Sequence, residues 1–195
     1  MKRPIVIEFS GLPNSGKTTL LRNLKELCSK NNVNAIFVQE TAELLTKCIT
    51  KGSIEQNLWI TLETLQRCLE IKFQSDANYI LLDRGFYDQL FWVTMYKSRD
   101  ADYSNYFVNF MNKFADMYDT RPDYLYVIDV DVDKAIERRM ASGEPVTFSK
   151  KDFLLNYKAE FNEFTKNISP KLYLDTTNLS EDKVSDIVFN KIISL

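Results

Sequence analysis

The chain has 195 residues, 45% of them hydrophobic and 27% charged, with a formal net charge of -2. That length supports one sizeable core rather than two independent ones, and the small net charge offers no general attraction to a nucleic acid polymer or an anionic membrane. The chain contains no histidine, which excludes Ser-His catalysis and histidine-based metal sites and leaves carboxylates, lysine, arginine and hydroxyls as the reactive groups.

In chain order, short β-type runs alternate with longer helical patterns. The predicted strands are 5–9, 35–39, 79–83, 124–129 and 171–175, each nearly continuous in β-branched, aromatic or aliphatic residues, as buried parallel strands are. Predicted helices fall near 16–31, 41–50, 54–76, 86–98, 102–119, 131–142, 149–168 and 181–194. Caps are expected at Asp131, at Ser149 with Asp152 as a capping box, and at Ser180. Such alternation implies right-handed βαβ crossovers and an α/β fold, a parallel sheet with helices on both faces. No linker or repeat interrupts it, so 1–195 reads as a single domain with a lid-like surface segment at about 138–148. Cys28, Cys48 and Cys68 lie in amphipathic contexts without a CxxC pair and are expected as reduced, buried thiols. The first apolar run is too short for a signal peptide, and no stretch is long enough to span a bilayer. A cytoplasmic protein is the expectation.

Between the first strand and the first helix, Gly11-Leu-Pro-Asn-Ser-Gly16-Lys17-Thr18 matches the Walker A pattern G-x-x-x-x-G-K-[ST]. Successive backbone N–H groups must wrap one phosphate, which a glycine-permissive loop allows, and the following helix points its positive end at the same anion. Gly11, Asn14, Ser15, Gly16, Lys17, Thr18 and Thr19 are the candidate nucleotide-binding residues. Lys17 is expected on the β- and γ-phosphates and the Thr18 hydroxyl on Mg²⁺. The run 79–82 ends in Asp83, a carboxylate placed to reach the metal or its water. A GTPase would carry D-x-x-G here and N-K-x-D later. Asp83-Arg84-Gly85 is not the first, and the second is absent.

The glycine loop, the stretch "YILLDRGFYDQLFW" and "DYLYVIDVDVDKAIERRMASGE" resemble the P-loop nucleoside and nucleotide kinases of the thymidylate kinase and deoxynucleoside kinase group, together with related ribosylnicotinamide-kinase-like ATPases. The resemblance implies a five-stranded sheet of order 2-3-1-4-5, ATP and Mg²⁺, and transfer of the γ-phosphoryl to a small acceptor, a nucleoside or nucleotide. It implies that Glu40, after the second strand, acts as base or orienting carboxylate. Asp83 would serve the metal or the acceptor oxygen, which leaves the base as either Glu40 or Asp83. Arg84 would neutralise acceptor or transferred phosphate charge, and Arg138 and Arg139 would open an arginine lid over the transferred group. The lid departs from the group's pattern, since after Arg139 only Glu144 is charged. Gln66 and Arg67 match acceptor-binding positions by the same resemblance.

In this architecture the acceptor lies across the carboxyl edge of the sheet from the loop. The helices there offer Trp59, Glu63, Phe86, Tyr87, Gln89 and Trp92 beside Gln66 and Arg67, and Trp59 and Tyr87 are the aromatic candidates for an acceptor base. A homodimer is left open. An ATP-binding regulatory protein, whose occupancy orders the lid for a partner to read, is the alternative to an enzyme.

Overall fold

In the computed structural model the described residues are 3–45, 48–74, 76–143 and 148–195, the side chains of 148 and 149 excepted. Five strands and seven α-helices occur among them: β1 (Ile5–Ser10), α1 (Lys17–Lys30), β2 (Ala35–Val38), α2 (Ile54–Lys72), β3 (Tyr79–Asp83), α3 (Phe86–Met95), α4 (Ala101–Tyr118), β4 (Tyr124–Asp129), α5 (Val132–Ala141), α6 (Phe148–Thr165), β5 (Lys171–Asp175) and α7 (Glu181–Ile193). The sheet runs β2-β3-β1-β4-β5, the order the resemblance implies. The parallel β4–β5 pair sets Leu125 opposite Lys171 and Asp129 opposite Asp175. Among the described residues no helix is long and apolar enough to cross a membrane.

The chain divides into two compact units, one of Met1–Glu8 with Ile36–Asp123, the other of Phe9–Ala35 with Tyr124–Leu195. In the first, Ile7, Ile80, Leu81, Phe86, Phe91, Val93 and Met111 are buried, and α3 packs on both α2 and α4. In the second, α1 packs on α7 over a core that includes Leu24, Leu125, Ile128, Leu154, Tyr157 and Val188. There Phe9 and Tyr126 stack at 5.5 Å between ring centroids. Each fully buried aliphatic or aromatic side chain of this kind is worth about 1.5–3 kcal/mol.

Local departures from the sequence reading have local causes. The helix expected at 41–50 is a single 3-10 turn, Thr41–Leu44, which gets no side-chain cap from Glu40 and is followed by Leu45 in extended backbone. Residues 46 and 47 of that expected helix lie outside the described residues, and the β-branched Thr41, Ile49 and Thr50 disfavour an α-helix. Outside any helix, Cys48 is exposed, whereas Cys28 and Cys68 are buried as expected. The helix expected at 86–98 ends at Met95 and is followed by a 3-10 turn, Tyr96–Ser98. α6 begins at Phe148, which places Ser149 inside the helix rather than ahead of it. Residues 144–147 of the expected lid lie outside the described residues.

The other caps form. The Ser180 side chain accepts from the N–H of Lys183, and that of Asp131 accepts from the N–H groups of Asp133 and Lys134 at 2.9 and 3.3 Å. Asp131→Ala should therefore cost about 1 kcal/mol of stability, and Asp131→Asn much less. Urea unfolding of the three proteins checks this.

Candidate active site

The second unit holds the glycine loop between β1 and α1. Gly11 has φ +143°, and a Cβ there would stand 2.2 Å from the carbonyl oxygen of Ile128, so both backbone conformation and space require glycine. Gly16, at φ +94°, caps α1, and Asn14 is also left-handed at φ +63°. The bend is closed by the Ser15 N–H donating to Leu12 O at 3.1 Å. The first amides of α1 have no partner within the helix, which makes this end suited to an anion. Lys17 is buried, and its ammonium donates to Gly11 O at 3.1 Å and Leu12 O at 3.0 Å.

Arg138, on the last turn of α5, donates to Ser15 O at 3.1 Å, to Thr176 Oγ1 at 3.1 Å and to Thr176 O at 2.8 Å. The Thr176 hydroxyl lies 3.2 Å from Ser15 O. A planar, permanently charged fork thus ties the glycine loop to the turn after β5. Arg139 is half-buried beside it on the helix.

The loop fits a triphosphate on its own evidence. The buried Asn14 Nδ2 has no hydrogen-bond partner among the described residues. Such a donor, among backbone amides, a lysine and the Thr18 hydroxyl, suits an anion with its cation.

The first unit holds a cavity of about 290 Å³. Two helix faces wall it: Gln56, Asn57, Ile60 and Thr64 of α2, and Asp88, Gln89, Trp92 and Tyr96 at the α3 end, with Glu40, Lys51 and Arg84 among the remaining lining residues. Both faces follow an i, i+1, i+4, i+8 spacing, one side of an α-helix. Polar groups are ordered at this wall. Tyr103 Oη donates to Asn57 Oδ1 at 2.7 Å, Gln89 Nε2 to Thr61 Oγ1 at 2.8 Å, and Thr61 Oγ1 to Asn57 O at 2.8 Å. Those bonds engage the Asn57 oxygen and the Gln89 nitrogen, so Asn57 Nδ2 and Gln89 Oε1 remain to offer a donor and an acceptor.

At the rim, Arg84 bridges two carboxylates, with Nε 3.1 Å from Glu40 Oε1 and Nη1 2.6 Å from Asp88 Oδ1. Its φ of +59° is unusual for a side-chain-bearing residue. Glu40 and Arg84 are therefore brought together, while Asp83, at the end of β3, is buried and does not line the cavity. Of the acceptor candidates, Gln66 is exposed and bonds Glu70 at 2.9 Å. Arg67 pairs with Glu63 at 3.2 Å and donates to Gln39 O at 2.9 Å. Tyr87 meets Phe86 edge-on. None of these, nor Trp59, lines the cavity, whereas Gln89 and Trp92 do.

Sequence reasoning passed over Asn57, Thr61, Tyr103 and, above all, Glu8. The signal for Glu8 was a carboxylate inside an otherwise apolar strand. It is fully buried, and its two oxygens accept the N–H groups of Asp88 at 2.7 Å and Tyr87 at 2.9 Å.

No protein-family model matches the chain. "Probable thymidylate kinase 1" of Saccharolobus solfataricus is 30% identical over 144 residues, which cover 71% of this chain and 70% of that protein. "Probable thymidylate kinase" of Sulfurisphaera tokodaii is 29% identical over 140 residues, covering 69% and 68%. Among solved structures, the thymidylate kinase of Candida albicans shares the fold, with a TM-score of 0.60 over 98% of this chain and 92% of that one at 17% identity.

Burial is the largest influence on Glu8. Against the two backbone donors and Arg84, and with Asp88 acting in the same direction as burial, it raises the carboxyl from the ordinary 4.5 to about 8. Of the other groups near it, Tyr87 and Cys68 are both raised by burial and then by Glu8, Cys68 to about 12. Between about pH 5 and 8 the folded chain keeps a proton that the unfolded chain has lost, so this residue's contribution to stability falls as pH rises through that window. Urea midpoints at pH 5 to 9 should decline and then level off, and Glu8→Gln should flatten the decline. A variant with the wild-type slope would refute the assignment.

Proposed function

The chain belongs to the thymidylate kinase family of P-loop nucleotide kinases, and we propose that it transfers the γ-phosphoryl of ATP to a small acceptor bound in the cavity of the first unit. The observation that carries this reading is the cavity itself. It combines a carboxylate–guanidinium–carboxylate rim, an aromatic pair in Trp92 and Tyr96, and an amide wall. The donor and acceptor left on Asn57 and Gln89 complement a heterocycle edge that carries one of each, and paired polar groups discriminate strongly where apolar packing does not.

In the proposed reaction the amides of the glycine loop and Lys17 hold the β- and γ-phosphates, and Thr18 and Asp83 are the candidate Mg²⁺ ligands. The cation, when bound, neutralises charge on the transferring phosphoryl group. The bond from the γ-phosphorus to the bridging oxygen breaks and a bond to the acceptor oxygen forms. If that oxygen is a hydroxyl, its proton passes to Glu40, the carboxylate on the rim. Arg84 offsets negative charge at the acceptor end. Arg138 sets the shape of the glycine loop from its bonds to Ser15 and Thr176.

The relatives' names make a nucleoside monophosphate the first acceptor class. A nucleoside is the second reading, and one observation favours it: Arg84 is already matched by Glu40 and Asp88, so little positive charge is left over for a dianion.

Steady-state assays with ATP·Mg²⁺ and a panel of nucleosides and nucleoside monophosphates test the proposal. At least one acceptor should raise turnover well above basal ATP hydrolysis, and Lys17→Ala should lower it by about a hundredfold or more. Turnover at the basal rate with every acceptor would sink the kinase reading and favour the regulatory one.

A further inference from the structure

We infer that Glu8 is the positioning residue of the acceptor site, acting through the amino end of α3 without lining the cavity. The inference rests on the reading of that cavity as the acceptor site. Three observations carry it.

The first is the pair of hydrogen bonds. The N–H groups of Tyr87 and Asp88 belong to the first turn of α3, where an α-helix has no internal partner for its amides. The N-cap residue, Gly85, has no side chain to supply one. Glu8 supplies both acceptors from β1, about 80 residues away in the chain.

The second is the glycine. Gly85 has φ -174°, ordinary extended backbone, so conformation does not demand glycine here. Space favours it. A Cβ at this position would stand 3.0 Å from Glu8 Oε2 and 3.1 Å from Leu82 Cδ1. A side chain here would push the carboxyl or Leu82 aside by a few tenths of an ångström.

The third is Arg84. A left-handed conformation at a non-glycine residue costs of order 1–3 kcal/mol and persists where the surroundings over-determine it. Glu40 and Asp88 hold the Arg84 guanidinium from either side, and Glu8 holds the peptide groups just beyond it. The turn so fixed carries Arg84, Gly85, Asp88 and Gln89, all of which line the cavity, while Glu8 does not. Loosening the turn moves the rim cation and its buried counter-ion together.

Glu8→Gln and Glu8→Ala test this. Glutamine keeps the shape and one acceptor oxygen, and alanine keeps neither. The acceptor kcat/KM should fall about tenfold in Glu8→Gln and about a hundredfold in Glu8→Ala, with the KM for ATP within about twofold of wild type, since a displacement of an ångström or so at a site is worth that much. Amide hydrogen exchange at Tyr87 and Asp88, read by NMR, should speed up by about tenfold or more in Glu8→Ala, while that of Leu90 and Phe91 changes less. An unchanged acceptor kcat/KM, or a KM for ATP that rises in step with the acceptor's, overturns the inference. A wild type that turns over no acceptor overturns the kinase reading instead. The exchange rates then decide whether Glu8 holds the turn, and unchanged exchange at Tyr87 and Asp88 overturns that too.

Discussion

A carboxyl group buried in a strand costs several kcal/mol unless its oxygens find donors, and Glu8 is such a group, flanked by the buried Ile7 and Phe9. Its two oxygens can be satisfied only by amides that come to it, and the amino end of α3 does so. Much of the first unit follows. Gly85 leaves room for the close approach, Arg84 precedes it in left-handed backbone, and α3 with the turn after it presents Asp88, Gln89, Trp92 and Tyr96 to the cavity. The opposite wall, on α2, meets that face with hydroxyl and amide groups, so Gln89 is fixed by Thr61 and Asn57 is fixed by Tyr103.

The second unit obeys a different constraint, the close passage of Gly11 over the Ile128 carbonyl. That contact sets how the loop leaves β1, and Arg138 sets how it arrives at α1 by holding Ser15 O. The turn after β5 joins the same arrangement through Thr176, whose hydroxyl is 2.9 Å from Asp129 O and whose carbonyl accepts from Arg138. Asp129 itself is held by Lys158 at 3.0 Å and by Tyr173 Oη at 2.6 Å. A guanidinium engaged with three oxygen atoms thus joins the glycine loop to the turn after β5.

The strands and the glycine loop were legible in the sequence because each depends on local pattern, a continuous apolar run or a fixed spacing of glycines and a lysine. Helix existence was legible where periodicity was sustained over three turns or more, as in α2 and α4. It failed at 41–50, where the apolar spacing was right and the β-branched residues and missing cap were decisive. The cavity was legible only in part. Gln89 and Trp92 were on the correct helix, but which face of α2 turns inward depends on packing against α3. That packing selects Asn57 and Thr64 over Trp59 and Gln66. Glu8 was illegible for a related reason. A charged residue in a strand carries no local sign of the helix end, far along the chain, that satisfies it.

The two carboxylates that hold Arg84 are not equivalent, and their difference bears on the proposed chemistry. The Asp88 side chain is 4% exposed and stands 2.6 Å from the guanidinium, whereas that of Glu40 is 27% exposed at 3.1 Å. Breaking a buried pair strands a charge away from water, while a partly exposed pair is worth about 0–1 kcal/mol. An acceptor that brings its own oxygen to Arg84 therefore displaces Glu40 and leaves Asp88 in place. The displaced Glu40 carboxylate is then at the rim beside the arriving group. In the proposed reaction it would serve an acceptor hydroxyl as base, and it would repel an acceptor phosphate. Of the trio, Glu40 is thus the member most able to move into water, and the buried Asp88 pair the one that keeps Arg84 in place.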